Sequence, residues 1–184
     1  NRATIVLAVA AFAISIAYPF FKRFFALPQA FLGIAFSFGI PMAFASVRGE
    51  VEWPGWPMLA INLLWVMAYD TEYAMVDRDD DVRIGMRTSA ITFGRFAIAA
   101  IAISYAGYLA GMAWVGRLMA LGPVYYAGLL AALACAVYHL WLIRDREREA
   151  CFRAFLHNHW FGFAVFAGTA LDYAVRARAC PRLA

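Results

Sequence analysis

Charge is scarce in this chain. Asp, Glu, Lys and Arg make up 15% of its 184 residues, where a soluble domain carries about 25%, and a water-facing surface cannot be built from so few. Cysteine is nearly absent: Cys135, Cys151 and Cys180 are an odd number with no metal-type or redox-type spacing. That excludes a disulfide framework and leaves them as small apolar fillers. The alternating segments of roughly ten residues that build outer-membrane barrels are missing too. So are the charged leader and small-residue cleavage site of a signal peptide, although an apolar run follows Asn1 and Arg2 at once. The start without Met reads as a start within a longer protein.

What the chain has is apolar length. Residues of the hydrophobic class form 65% of it, the aromatics alone 17%, and the mean hydropathy is +0.67. A helix needs about 20 mostly apolar residues to cross a bilayer. Six stretches approach that: Ala3–Tyr18, Pro28–Val47, Trp56–Val76, Ile91–Val115, Pro123–Ile143 and Phe155–Val175. Several are rich in Gly, Ala and Ser, as closely packed membrane helices are. The expected fold is therefore an all-α polytopic membrane bundle, lipid is its first partner, and nothing points to nucleic acid. Loops 1–2, 3–4 and 5–6 hold Lys22, Arg23, Arg78, Arg83, Arg87, Arg144, Arg146, Arg148 and Arg153, against Arg48 and Arg117 on the other side. By the positive-inside rule the first face is cytoplasmic.

Against this background, half of the twelve acidic residues stand in Asp70-Thr-Glu-Tyr-Ala-Met-Val-Asp77-Arg-Asp-Asp-Asp81. At about 100° per residue, Asp70, Tyr73, Asp77 and Asp81 share one face of a helix that enters from the apolar run Met58 to Met67. A carboxylate inside a membrane segment marks a site with a cationic partner. A solvated loop paired with Arg78, Arg83 and Arg87 is the bland alternative, and the depth of Asp70 speaks against it. An EF-hand loop fails because Val82 and Thr88 stand where Gly and a bidentate Glu are required. A few carboxylates one or two turns apart suit Mg²⁺, which keeps positions open for phosphate oxygens and water. Asp77 and Asp81 are the expected ligands. Asp70 stays open between ligand, supporting acceptor and part of a substrate pocket, while Asp79 and Asp80 point to solvent. Asp172 is the one other deep carboxylate expected, at the opposite interface.

Tyr18-Pro-Phe-Phe-Lys22-Arg23 ends the first span on the same face. Its ordinary role is anchoring at the interface. Its functional reading puts Lys22 on a phosphate as a point charge and Arg23 on a carboxylate as a planar fork. Arg83 and Arg87 balance the acids or bind diphosphate. Arg144 to Glu149 alternates in sign and reads as a self-paired helix end. His157 and His159 point to different helix faces and are expected to hold no metal. Aromatic rings near Tyr69 and Tyr73 are placed to face a reacting cation.

The stretch from Tyr69 to Gly94 closely resembles the second aspartate-rich motif of the UbiA-type membrane prenyltransferases, above all the branch that prenylates 4-hydroxybenzoate in ubiquinone biosynthesis. The run from Tyr18 to Gln29 resembles the family's YxxxK element, Ile40 to Ala45 is similar as well, and Arg146 to Phe155 resembles its last cytoplasmic loop. The resemblance covers the whole chain. It implies nine spans with these as the last six, so that residues 1–184 form the C-terminal part of one transmembrane prenyltransferase domain. The first motif, of the form NDxxDxxxD, is absent, and residues 1–184 alone are expected to give no turnover. Arg83 and Arg87 stand where lysines are common in the family.

The resemblance further implies a magnesium-dependent transfer from polyprenyl diphosphate to the ring carbon ortho to the hydroxyl of 4-hydroxybenzoate, in a bacterial or mitochondrial inner membrane with the site facing the cytoplasm. Asp77 and Asp81 would hold Mg²⁺ and Lys22 the diphosphate, with Arg87 a further candidate. Arg23 would meet the acceptor's carboxylate beside Tyr18, and Asp70 and Tyr73 would complete the site. Two alternatives remain at this point: a relative acting on another quinone precursor or on haem, and a cation transporter whose acids line an ion path. Neither tail length nor oligomeric state is legible.

Overall fold

The computed structural model describes residues 1–21 and 23–179, and among them the regular structure is entirely helical. Helix α1 (Arg2–Phe21) is followed by α2 (Pro28–Ser37) and α3 (Gly39–Arg48), then α4 (Gly55–Val76), short α5 (Arg78–Arg83) and α6 (Ser89–Phe93). A 3₁₀ turn (Gly94–Phe96) leads into α7 (Ala97–Leu118), and α8 (Pro123–Ile143) and α9 (Arg148–Ala179) complete the bundle.

The expected second span is broken in two. Pro41 lacks an N–H and its ring crowds the carbonyl of Ser37, four residues back, so the helix kinks around Phe38. The fourth span starts early, as α6, and re-aims at Gly94, whose φ of +50° is in the region that favours glycine. Among the described residues, four stretches are long and apolar enough to cross a membrane: Arg2–Phe21, Pro28–Arg48, Ser89–Leu118 and Pro123–Ile143. The other two expected spans are α4 and α9, 22 and 32 residues long. Both have the length, yet each carries polar side chains that the fold turns inward, among them Thr71, Glu72, Asn158 and Asp172.

Helix α4 is the hub, packing against α2, α3, α7 and α9. Its neighbours approach closely where they carry glycine. A Cβ at Gly107 or Gly111 would strike Leu64 or Ile61 of α4, and one at Gly162 would strike Trp65. The interior is filled by Tyr105, Tyr125, Phe161, Ile101 and Ile143. The outside is just as apolar, with Ile5, Val9, Phe12, Ile103, Leu130 and Phe166 exposed, as a surface solvated by lipid requires. Cys151 is buried and Cys135 half-buried, both free thiols. Cys180 and Arg182 lie outside the described residues.

Asp172 sits beside the connection between α7 and α8, and it is buried there. It is 2% exposed, its Oδ2 accepts the Gly122 N–H at 2.8 Å, and Arg176 stands 3.6 Å away. Gly122 is the residue just before α8, so Asp172 satisfies an amide at a helix start that the chain itself leaves open. Asp172→Ala is expected to lower stability in detergent by about 1–2 kcal/mol, read as an earlier unfolding transition with the helical content of the folded state unchanged.

Candidate active site

Helix α4 does not run on through Asp81. It stops at Val76, and Asp77 (φ −93°, ψ 1°) joins it to α5. The continuation is a near-helical turn: the Asp81 N–H donates to Asp77 O at 2.8 Å and the Met86 N–H to Asp81 O at 2.9 Å. The expected carboxylate face survives the break. Asp70, Tyr73, Asp77 and Asp81 line one cavity of about 60 Å³ together with Tyr18 of α1, Gln29 of α2, Ala74 and Thr88. Asp70 is 8% exposed.

Short polar contacts hold the walls. Gln29 Oε1 accepts the Ser89 N–H at 2.9 Å, which ties α2 to the start of α6. The Thr71 and Ser89 hydroxyls meet at 2.8 Å and tie α6 to α4. Thr92 donates to the Ala26 carbonyl, and Arg87 donates to the Phe24 carbonyl at 3.0 Å. Arg87 therefore staples the segment after α5 to the one after α1 and is not among the residues lining the cavity. Arg23 is exposed in that second segment, also off the lining. Lys22 lies outside the described residues.

Two of the three arginines of the bland alternative pair with neighbouring acids, and a further arginine arrives from α9. Arg78 pairs with Asp79 at 3.6 Å and Arg83 with Asp80 at 3.7 Å, whereas Arg148, from the start of α9, reaches Asp80 at 3.2 Å and Asp77 at 3.8 Å. Arg146 donates to the Gly94 and Arg95 carbonyls at 3.1 and 2.6 Å. Of the self-paired run expected at Arg144 to Glu149, only Arg144–Asp145 forms an ion pair within the run among the described residues, at 3.0 Å. The remainder of this loop docks on α5 and on the 3₁₀ turn. Contacts spanning some 50 to 70 residues leave no local trace in sequence.

The donor set of the cavity is carboxylates and hydroxyls, hard oxygen ligands of the kind Mg²⁺ takes. Among the described residues, no three His, Cys, Asp or Glu side chains form a ready-made metal ligand set. The cavity thus fits a hard cation bound through a partial protein shell, with room for further oxygens. Beside it, Tyr73 and Tyr69 pack on Phe155 with ring centroids 4.9 and 6.2 Å apart. Beyond them opens a hollow of about 480 Å³, walled by Phe36, Trp65, Tyr69 and Phe155.

A second polar group escaped the sequence reading, which expected Asp172 to be the one other deep carboxylate. Glu72 is 0% exposed and sits with Asn158, Tyr105 and His139 in a closed cluster joining α4, α7, α8 and α9. One signal was available: Glu72 shares the buried half of the span with Asp70 but points to the other side.

The chain matches the model of the UbiA prenyltransferase family over residues 1–167. It is 61% identical over 176 residues to a 4-hydroxybenzoate octaprenyltransferase of Cupriavidus necator, covering 96% of this chain and 62% of that relative. A protein of the same name from Nitrosospira multiformis is 58% identical, with 96% and 61% covered. The chain thus spans about six-tenths of the length of these curated relatives. Its fold matches the apo structure of a UbiA homologue from Aeropyrum pernix K1, with a TM-score of 0.75, 24% identity and 91% and 63% of the two chains covered. The membrane bundle, its aspartate-lined cavity and these matches lead to one conclusion: this chain belongs to the UbiA prenyltransferase family.

Proposed function

We propose that the protein containing this chain transfers a polyprenyl group from its diphosphate to the ring carbon ortho to the hydroxyl of 4-hydroxybenzoate, in ubiquinone biosynthesis, at the cytoplasmic side of an inner membrane. The observation that carries this is the convergence of Tyr18, Asp70, Tyr73, Asp77 and Asp81, from three helices (α1, α4 and α5) and the junction between α4 and α5, on one cavity. The names of the relatives at about 60% identity, 4-hydroxybenzoate octaprenyltransferases, support the donor and acceptor classes.

Asp77 and Asp81 would hold Mg²⁺, which when bound offsets the charge that builds on a departing diphosphate. Lys22 adds a point charge to the same anion, with Arg87 a weaker candidate beside it. The allylic C–O bond breaks with its electron pair leaving on diphosphate. Asp70 and Tyr73 border the space in which the allylic cation forms, and the faces of Tyr69, Tyr73 and Phe155 stabilise it while excluding water. Arg23 holds the acceptor's carboxylate near Tyr18, so that the carbon beside the phenol points at the cation. That carbon supplies the electron pair of the new C–C bond, and the ring then loses its proton to regain aromaticity.

The rival reading, a cation path, asks for acids spaced along a conduit. What argues against it is that Asp172 caps α8 and Glu72 is enclosed by hydrogen bonds. The test is transfer of a labelled octaprenyl group to 4-hydroxybenzoate by the full-length protein in proteoliposomes with Mg²⁺. Metal flux without any such transfer would overturn the proposal. Arg23→Ala is expected to raise KM for 4-hydroxybenzoate about tenfold or more, the loss of one charge-assisted pair, with little change for a phenol that lacks the carboxylate. An equal change for both acceptors removes Arg23 from the carboxylate site.

A further inference from the structure

The buried cluster behind α4 has a hydrogen-bond arithmetic that limits what Glu72 can be. Asn158 Nδ2 donates to Glu72 Oε2 at 2.7 Å and to Ala154 O at 3.0 Å, while Asn158 Oδ1 accepts the Trp65 Nε1–H at 3.0 Å. An indole N–H can only donate and a carbonyl can only accept, so these two contacts settle which way round the amide lies. The Tyr105 hydroxyl then touches three groups: Asn158 Oδ1 at 2.9 Å, His139 Nδ1 at 2.9 Å and Glu72 Oε1 at 3.0 Å.

A hydroxyl has one proton to give and two lone pairs to receive with. Asn158 Oδ1 can only accept, so it takes the Tyr105 proton. His139 must then donate through Nδ1–H, and Glu72 must donate through a carboxyl O–H. His139 Nε2 is left to accept from His157 Nδ1, 2.9 Å away. Every contact is satisfied with no formal charge anywhere, which is how an acid with 0% exposure is tolerated in a membrane core.

The position of this cluster matters as much as its chemistry. At about 100° per residue, Glu72 projects roughly 200° around α4 from Asp70, diametrically behind the cavity-lining row. A helix in lipid has no hydrophobic force fixing its rotation, because lipid tails are as apolar as its neighbours. A saturated hydrogen-bond set on its back face, anchored to α7, α8 and α9, supplies that fix.

We propose that Glu72, as a neutral carboxylic acid held by Tyr105 and Asn158, is a positioning residue that sets the rotation of α4 and thereby aims Asp70, Tyr73 and Asp77 into the cavity. The proposal rests on the reading that this cavity receives the metal and diphosphate. A glutamine offers the same pattern, an N–H to Tyr105 and a C=O to Asn158, so Glu72→Gln should be silent. Glu72→Ala breaks the set, and Tyr105→Phe removes one hydroxyl while keeping the ring.

The experiment uses the full-length protein in detergent and three measurements: Mn²⁺ binding by electron paramagnetic resonance, kcat and KM for the donor and acceptor, and the infrared spectrum. Glu72→Ala is expected to weaken Mn²⁺ binding and lower kcat/KM for the diphosphate about 10- to 100-fold, the range for groups supporting metal ligands. Tyr105→Phe should move both in the same direction by less, and neither variant should raise KM for 4-hydroxybenzoate to a like extent. Glu72→Gln should match wild type in binding and rate while losing a protonated-carboxyl C=O band that wild type shows. Folded Glu72→Ala or Tyr105→Phe protein with wild-type Mn²⁺ affinity overturns the proposal, as does Glu72→Gln behaving like Glu72→Ala or the absence of the infrared band. Wild-type protein that binds no Mn²⁺ but shows the band would sink the metal assignment instead.

Discussion

Asp77→Ala and Asp81→Ala, each made in the full-length protein, are expected to lower Mg²⁺-dependent prenyl transfer about 10²- to 10³-fold, the share of the barrier a lost metal-binding carboxylate represents. Both carboxylates line the cavity, Asp77 at the turn where α4 ends and Asp81 one turn further on. Asp77 adds little to holding the fold. When Asp77 is removed, Arg148 keeps its shorter contact to Asp80, 3.2 Å against 3.8 Å, and an exposed pair of this kind contributes about 1 kcal/mol at most. For Asp77→Ala, activity should therefore collapse while the unfolding transition stays in place, and that split is what marks a ligand. Asp77→Asn should resemble Asp77→Ala, since an amide keeps the shape without the charge. Initial rates across a range of Mg²⁺ concentrations decide the matter: variants that retain full rates with the metal limiting would show that these carboxylates do not hold it.

The largest effect on stability is expected at the α8–α9 crossing. A Cβ on Gly128 would lie 2.7 Å from Ala164 O and 2.7 Å from the Gly168 Cα. Both are backbone atoms, so no side chain can swing aside to make room. Gly128→Ala should destabilise by about 3 kcal/mol, the upper end for overpacking a fitted interior, and Gly128→Val more. The damage should reach the site as well, because α9 carries Arg148 and Asn158, so a spread crossing would loosen both the contact to Asp77 and the cluster behind α4. Unfolding of Gly128→Ala in detergent, followed by its helical signal, is the measurement. A transition identical to wild type would mean the two helices are free to separate there.

Much of this was legible in the chain. Low charge and long apolar runs required a helical membrane bundle, because a backbone in lipid must satisfy its own hydrogen bonds. The i, i+3, i+7, i+11 spacing of Asp70, Tyr73, Asp77 and Asp81 placed them on one face, and that face lines a cavity even though the helix breaks at Asp77. Periodicity tolerates such a break, since the chain continues in a near-helical turn. The break itself could not be foreseen, and neither could the role of Arg87, whose guanidinium meets a carbonyl 63 residues away. Arg148 looked like one member of an alternating, self-paired run until the fold carried it to Asp77 and Asp80.

Glu72 marks the limit most clearly. Its neighbours in sequence identify a membrane segment and an acidic motif, but its partners Tyr105, His139 and Asn158 come from three other helices. The sequence by itself determined the solvent, the fold class and the face that bears the carboxylates, because those follow from composition and from a period that each residue shares with its near neighbours. Only the tertiary structure decided which groups meet across helices, and so which acid faces the cavity and which is enclosed behind it. Such meetings depend on how helices far apart in the chain are rotated and packed, which no local pattern encodes.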